Sequence, residues 1–179
     1  SLIRKGFNLD VTVLVSSLEA FLDNEKCAWT VREARSSLFV SILQSFVESL
    51  GISANVKVTR DLDCDFYMSS EYALDMYKLA SIVTRDESSL VGGTALAGNL
   101  VPIIHTLNLK YLSPDLTVVG ECHEPITQLA LTLLSRSRLR PPSTLSIPFV
   151  PGMDEQKMSC SSLDFLLDPF DTPKQTKTK

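Results

Sequence analysis

The side chains with the most chemical potential are Lys157, Ser159 and Ser161. They stand in the run Val150-Pro151-Gly152-Met153-Asp154-Glu155-Gln156-Lys157-Met158-Ser159-Cys160-Ser161-Ser162. A Pro-Gly turn and an acidic bend lead into one ammonium group and a series of small hydroxyls. Lysine meets phosphate as a movable point charge. Hydroxyls and backbone N–H groups then complete an oxygen cradle around a polyanion. A nucleotide-binding loop is the chemistry this spacing suits, and a solvated surface loop is the plainer alternative. Other candidates are weaker. Cys122 and His123, with His105 and Cys160, lack tight ligand spacing, so no metal site and no Cys-His nucleophile is expected. Asp61, Asp63 and Asp65 alternate like the start of a calcium loop. The glycine and glutamate such a loop needs later are missing, which leaves a solvated acidic loop. Gly92-Gly93 reads as a turn before a helix.

The elements that must position these groups follow from periodicity. Val11–Val15 is a β-branched run that reads as a buried strand. Thr30 with Glu33 forms a capping-box signature. Leu38, Ile42, Leu43, Phe46, Val47 and Leu50 then recur at helical spacing up to Gly51. Residues 54–58 read as a second strand, giving the strand–helix–strand unit of a parallel α/β sheet. A helix is expected over about 70–84, with Tyr72, Met76, Leu79, Ala80 and Val83 on one face as core or subunit contact. An apolar helix over 94–107 is expected to kink at Pro102. A strand over 115–119, a helix from Pro125 to Leu134 and a last strand over 144–150 complete the pattern.

Composition narrows the class. The chain has 179 residues, 44% hydrophobic and 21% charged, enough for one domain with a substantial core. A net charge of −4 argues against coating nucleic acid through bulk charge. Arg136, Arg138 and Arg140 form a local basic patch that could meet RNA, and the lysine-rich tail is another. The four cysteines are scattered without zinc spacing and read as reduced thiols, hence an intracellular protein, cytoplasmic rather than mitochondrial. No apolar run is long enough for a membrane span, so no membrane partner is expected. The chain opens without methionine and close to the first strand, so its true N-terminus, and any targeting segment with it, is expected to lie upstream of this sequence. The polar tail after Asp168-Pro169 is expected to be disordered.

Lys157-Met158-Ser159-Cys160-Ser161 resembles the Lys-Met-Ser-Lys-Ser loop of class I aminoacyl-tRNA synthetases. Val150-Pro151-Gly152 resembles the lead-in of archaeal and eukaryotic tyrosyl-tRNA synthetases. Leu18-Glu19-Ala20-Phe21-Leu22-Asp23-Asn24 and Glu71-Tyr72-Ala73-Leu74-Asp75-Met76-Tyr77-Lys78-Leu79, through Val83-Thr84, look like further segments of that catalytic domain in the family's order. The resemblance covers about residues 7–163. It implies a Rossmann-like parallel sheet flanked by helices, with a helical dimerisation insertion at about 70–112. The domain would span 1–168 and the tail 169–179.

Active members hold ATP and magnesium, using a His-x-Gly-His motif after the first strand together with the lysine loop. That motif is missing from this sequence, so Lys157, Ser159 and Ser161 would be a vestigial nucleotide loop and no cofactor is expected. The resemblance also places the tyrosine pocket at Ser17, Val101, His105, Asn108 and Thr117. The family there carries aspartate, tyrosine, glutamine, aspartate and glutamine, and it has histidine where Glu19 stands. Loss of an ionic partner of this kind removes about 1.5–3 kcal/mol. The family's Gly-Gly-x-Asp-Gln-Arg signature reads Val119-Gly120-Glu121-Cys122-His123-Glu124, which puts two acids where nucleotide is accommodated.

The expectation is a catalytically inactive pseudo-subunit that pairs with an active tyrosyl-tRNA synthetase half, with tRNA or rRNA as a further partner. The alternatives are a synthetase fold repurposed as a structural or RNA-binding part of a ribonucleoprotein such as a ribosome, and an active tyrosine–tRNA ligase whose first motif lies upstream.

Overall fold

The computed structural model describes residues 9–23, 28–52, 55–92, 96–151 and 171–178. β1 (Val11–Val15) is followed by α1 (Ser17–Asp23), then α2 (Arg32–Ser49) and β2 (Val56–Arg60). β1 and β2 pair in parallel, with Val11 opposite Val56 and Val15 opposite Arg60. The expected strand–helix–strand unit is therefore present. Gly51 ends its helix at φ +66°, a left-handed conformation glycine adopts without penalty. A second unit runs through β3 (Leu116–Gly120), α6 (Glu124–Arg136) and β4 (Ser143–Ile147), again parallel. Among the described residues the four strands make two separate pairs, β1–β2 and β3–β4.

Between the two units lie α3 (Ser70–Ala80), α4 (Arg85–Gly92) and α5 (Val101–Leu112). The main core forms where α3, α5 and α6 meet. Tyr72, Leu79, Ile103, Leu107 and Leu133 are buried there, with Phe66, Met76 and Tyr111 packed against them. Tyr72, Leu79, Met76 and Val83 from the expected stripe all belong to this core, whereas Ala80 is exposed. Phe66 stacks on Tyr111 at 5.1 Å between ring centroids, and Tyr72 closes the aromatic group.

Several sequence expectations are corrected. The helix expected over 70–84 stops at Ala80, because Thr84 starts a new one. Thr84 N–H and Oγ both donate to Glu87 Oε2, at 3.0 and 2.9 Å, and Glu87 N–H returns a bond to Thr84 Oγ1. This is a capping box. The same Thr-x-x-Glu signature at Thr30 and Glu33 makes none. Residues Trp29–Val31 form a 3₁₀ turn, and α2 begins only at Arg32, whose guanidinium stacks on Trp29 at 4.3 Å. Pro102 does not kink a helix. It sits in the first turn of α5, where its missing N–H costs nothing. The tail is not structureless: Pro173–Thr178 forms α7, opened by Thr172 and Gln175 in another reciprocal cap. Leu38 and Phe46, read as the apolar face of α2, are 50% and 59% exposed. Asp61 in the supposed solvated acidic loop is fully buried. No described helix is long and apolar enough to cross a membrane.

Candidate functional site

α1, which follows β1, and α6, which follows β3, both pack against α5. Immediately after β1 the chain turns into α1, and that turn is fixed from a distance. Asp61, just past β2, accepts the Ser17 hydroxyl at 2.7 Å, the Leu18 N–H at 2.7 Å and the Leu62 N–H at 2.8 Å. A buried carboxylate at a helix N-terminus satisfies donors that the helix itself leaves unpaired. Arg32 also donates to the Ser17 hydroxyl, at 3.2 Å. Ser17 is thus wholly occupied in holding the start of α1.

One turn on, Glu19 reaches α5. Its Oε1 accepts from Asn108 Nδ2 at 2.6 Å, and its Oε2 pairs with His105 Nδ1 at 3.2 Å. Asn108 Oδ1 in turn accepts from the Tyr67 hydroxyl. On the other side His105 Nε2 lies 3.3 Å from Thr127 Oγ1 in the first turn of α6, and Thr127 donates to the His123 carbonyl at 2.9 Å. The imidazole therefore lies between α1 and α6, with Nδ1 against the Glu19 carboxyl group and Nε2 against the Thr127 hydroxyl.

The network is nearly dry. Asn108 and Thr127 are 3% and 0% exposed, and the side chains of His105 and Glu19 16% and 14%. Burial pushes the Tyr67 hydroxyl far above its usual pKa, so it remains a neutral donor. Each polar atom named in this chain of bonds has a partner within the protein. Charge-assisted bonds in such surroundings reinforce one another.

Of the residues expected to line a pocket, the structure brings His105 and Asn108 together with Glu19, and Ser17 lies beside them. Val101 is buried at the start of α5 and contributes only packing. Thr117 is half-buried in the middle of β3, apart from the network. Tyr67, Asp61 and Thr127 are members that sequence reasoning missed. Their partners lie 41, 44 and 22 residues away, beyond any local pattern.

An open cavity of about 400 Å³ lies at the ends of β3 and β4, lined by Val118, Gly120, Glu121, Cys122, Ile147 and Phe149. Its rim does not suit a polyphosphate. Glu121 and Glu124 are exposed carboxylates on the segment that enters α6, and like charges repel. Cys122 Sγ lies 3.3 Å from His123 Nδ1, both exposed, but no group of three possible metal ligands occurs among the described residues. Lys157, Ser159, Ser161 and Cys160 lie outside the described residues.

The basic patch is reorganised. Arg136 is not a free cation: its Nη2 and Nη1 meet Glu87 Oε1 and Oε2 at 2.6 and 3.1 Å, a two-pronged pair joining α6 to α4. That guanidinium, with the Thr84 bonds, holds the Glu87 carboxyl at a pKa of about 2. Arg138, at φ +58°, and Arg140 are exposed. A second buried ionic group ties α3 to α5. Asp75, 6% exposed, accepts from Lys110, from Tyr111 at 2.8 Å and from Lys78 at 3.0 Å.

Comparison with known proteins relates the sequence and the fold to tyrosyl- and tryptophanyl-tRNA synthetases. No family model matches the chain. It is 30% identical over 178 residues to the cytoplasmic tyrosine–tRNA ligase of Xenopus tropicalis, covering 95% of this chain and 34% of that protein. It is 29% identical over 179 residues to the tyrosine–tRNA ligase of Haloarcula marismortui, covering 96% and 51% respectively. The tyrosyl-tRNA synthetase of Archaeoglobus fulgidus, solved with L-tyrosine, superposes with a TM-score of 0.81 at 23% identity, over 94% of this chain and 53% of that one. The tryptophanyl-tRNA synthetase of Aeropyrum pernix K1 superposes at 0.77 and 19% identity, over 98% and 49%. The chain thus spans between a third and about half the length of these proteins. By sequence it is similar to archaeal and eukaryotic tyrosine–tRNA ligases over part of their length, and by structure it shares the α/β fold of the tyrosyl- and tryptophanyl-tRNA synthetases on which it superposes.

Proposed function

We propose that this chain is a non-catalytic partner in tyrosine–tRNA ligation, pairing with an active tyrosyl-tRNA synthetase half rather than activating tyrosine itself. The observation that carries the reading is the closed network around Glu19. His105 and Asn108 stand where the resemblance places groups that contact the amino acid. Here their polar atoms bond to Glu19, Tyr67 and Thr127 instead. A ligand ammonium entering this site would have to break internal charge-assisted bonds worth about 1.5–3 kcal/mol each. The acids at the β3–β4 cavity also disfavour ATP, so no cofactor is assigned.

Pairing requires an exposed complementary surface, and α3 has one. Leu74 and Tyr77, one turn apart, are 57% and 66% exposed on the face opposite the core. Residues 101–104 and 106–109 of α5 are buried, so the contact falls on α3 rather than on both helices expected from sequence. Engagement of Arg136 by Glu87 makes the RNA-scaffold alternative the weaker one. Cytoplasmic location accompanies the proposal, as in the name of the Xenopus relative.

The test is sedimentation of the chain mixed with the catalytic chain of a tyrosyl-tRNA synthetase. A one-to-one complex is expected, weakened at least tenfold by Leu74→Glu. Two components that sediment independently would contradict pairing.

A further inference from the structure

Cys122 and His123 at the β3–β4 cavity have no part in closing the site around Glu19. They sit in the 3₁₀ turn Glu121–His123, between the end of β3 and the start of α6. Cys122 Sγ lies 3.3 Å from His123 Nδ1, and both residues are exposed. The Cys-His pair that sequence spacing does not predict is therefore present. Gly120 lies beside the sulfur without covering it, since even a Cβ added there would stop 3.7 Å from Sγ. Cys64, the other cysteine among the described residues, is half-buried and its Sγ donates to the Arg60 carbonyl at 3.4 Å. An accessible thiol with a base at contact distance is the arrangement that activates a cysteine as a nucleophile.

The cavity determines what such a thiol can take. Cys122 lines it together with Val118, Ile147, Pro148, Phe149 and Val150, and its volume of about 400 Å³ has room for a short alkyl chain or an aromatic ring. Val118, Ile147, Phe149 and Val150 are 46–67% exposed, an apolar wall left open among the described residues. The rim is acidic. Glu121 also lines the cavity, and the Ser146 hydroxyl of β4 donates to Glu124 at 3.4 Å. Two carboxylates repel an anionic reagent, so the class that fits is neutral, apolar and electrophilic at carbon.

We infer that Cys122 is a covalent addition site for small neutral α,β-unsaturated carbonyl compounds whose apolar end seats in the β3–β4 cavity. Sγ bonds to the β-carbon of the compound while the thiol proton passes to His123 Nδ1, which accepts it in the tautomer carrying hydrogen on Nε2. The carbon–carbon π pair moves toward the carbonyl as an enolate, and the α-carbon then takes up the proton held by His123. Nothing leaves, and no oxidant or reductant is consumed. The product is a thioether whose apolar end occupies the cavity. This addition is independent of pairing with a synthetase half.

The probes are N-benzylmaleimide and N-ethylmaleimide, added to the full 179-residue chain at neutral pH while labelling of each cysteine is followed by peptide mass spectrometry. Each rate is divided by that of N-acetylcysteine with the same reagent, which removes the difference in intrinsic reactivity. Cys122 should exceed the free thiol at least tenfold with the benzyl reagent, and the ethyl ratio should be at least threefold lower. His123→Gln should lower both ratios at least fivefold, whereas Phe149→Ser should bring the benzyl ratio down to the ethyl one. Both side chains are exposed, so the variants should fold, and a cooperative thermal transition checks that they do. Iodoacetate, an anion, should label Cys122 at least tenfold more slowly than iodoacetamide on the same scale. A Cys122 rate no higher than that of N-acetylcysteine would overturn the proposal. Equal benzyl and ethyl ratios in the unsubstituted chain would overturn it too, because the cavity would then play no part. An unchanged rate in His123→Gln would do the same, because the pair would then not act together.

Discussion

The Glu19 carboxylate accepts the Asn108 side-chain amide at 2.6 Å across 89 residues of sequence, joining the helix that follows the first strand to the central helix of the core. That bond, with the His105 contact beside it, closes the site from within. Glu19→Ala leaves a buried amide and one imidazole nitrogen without partners, which costs about 1–3 kcal/mol. In chemical denaturation the variant should lose that much stability. A double-mutant cycle with Asn108→Ala should show coupling, because the two share one network. Strict additivity would mean that the bond contributes nothing of its own.

Asp75 sets the acid limit of the helical core. Burial raises its carboxyl, but hydrogen bonds from Lys110, Lys78 and Tyr111 outweigh this and hold the pKa at about 2, below the ordinary 3.8. A depressed carboxylate pKa stabilises the fold fully above the unfolded value. That contribution is lost as pH falls from about 4 to about 2, and amounts to about 2 kcal/mol. Asp75→Asn should lower stability at neutral pH by a similar amount and flatten the profile between pH 4 and 2. An unchanged acid profile would show that the cluster does not act this way.

Arg136 is read as a tie between α6 and α4, not as an RNA contact. Arg136→Ala should therefore speed amide exchange in residues 85–92 while leaving β1 and β2 unaffected. If exchange in α4 is unchanged and RNA association falls instead, the basic-patch reading regains its place.

Much of the fold is legible in the sequence because its signals are local. The β-branched run at 11–15, the glycine at 51 and the apolar period of α3 each mark an element where the structure has one. Local signals fail where a distant group or an early turn decides the outcome. Thr84 and Glu87 cap a helix, whereas Thr30 and Glu33 do not, since Trp29 draws Arg32 into a stack and starts α2 later. Periodicity likewise places Leu38 and Phe46 on one face of a helix without saying whether anything covers it. At the site, the identities of Ser17, His105 and Asn108 could be read as departures from a substrate pocket. Their actual partners could not. Asp61, Tyr67 and Thr127 come from three separate elements, and only the packing of α1, α5 and α6 brings them within bonding distance.

The measurement closest to the central claim is a calorimetric titration of L-tyrosine into the purified chain, with a cooperative thermal transition confirming that it is folded. A pocket closed by Glu19, His105 and Asn108 predicts no saturable heat up to about 1 mM ligand, corresponding to less than about 4 kcal/mol of binding. Saturable binding in the micromolar range, near 8 kcal/mol, would mean that the network opens for substrate and would contradict the account.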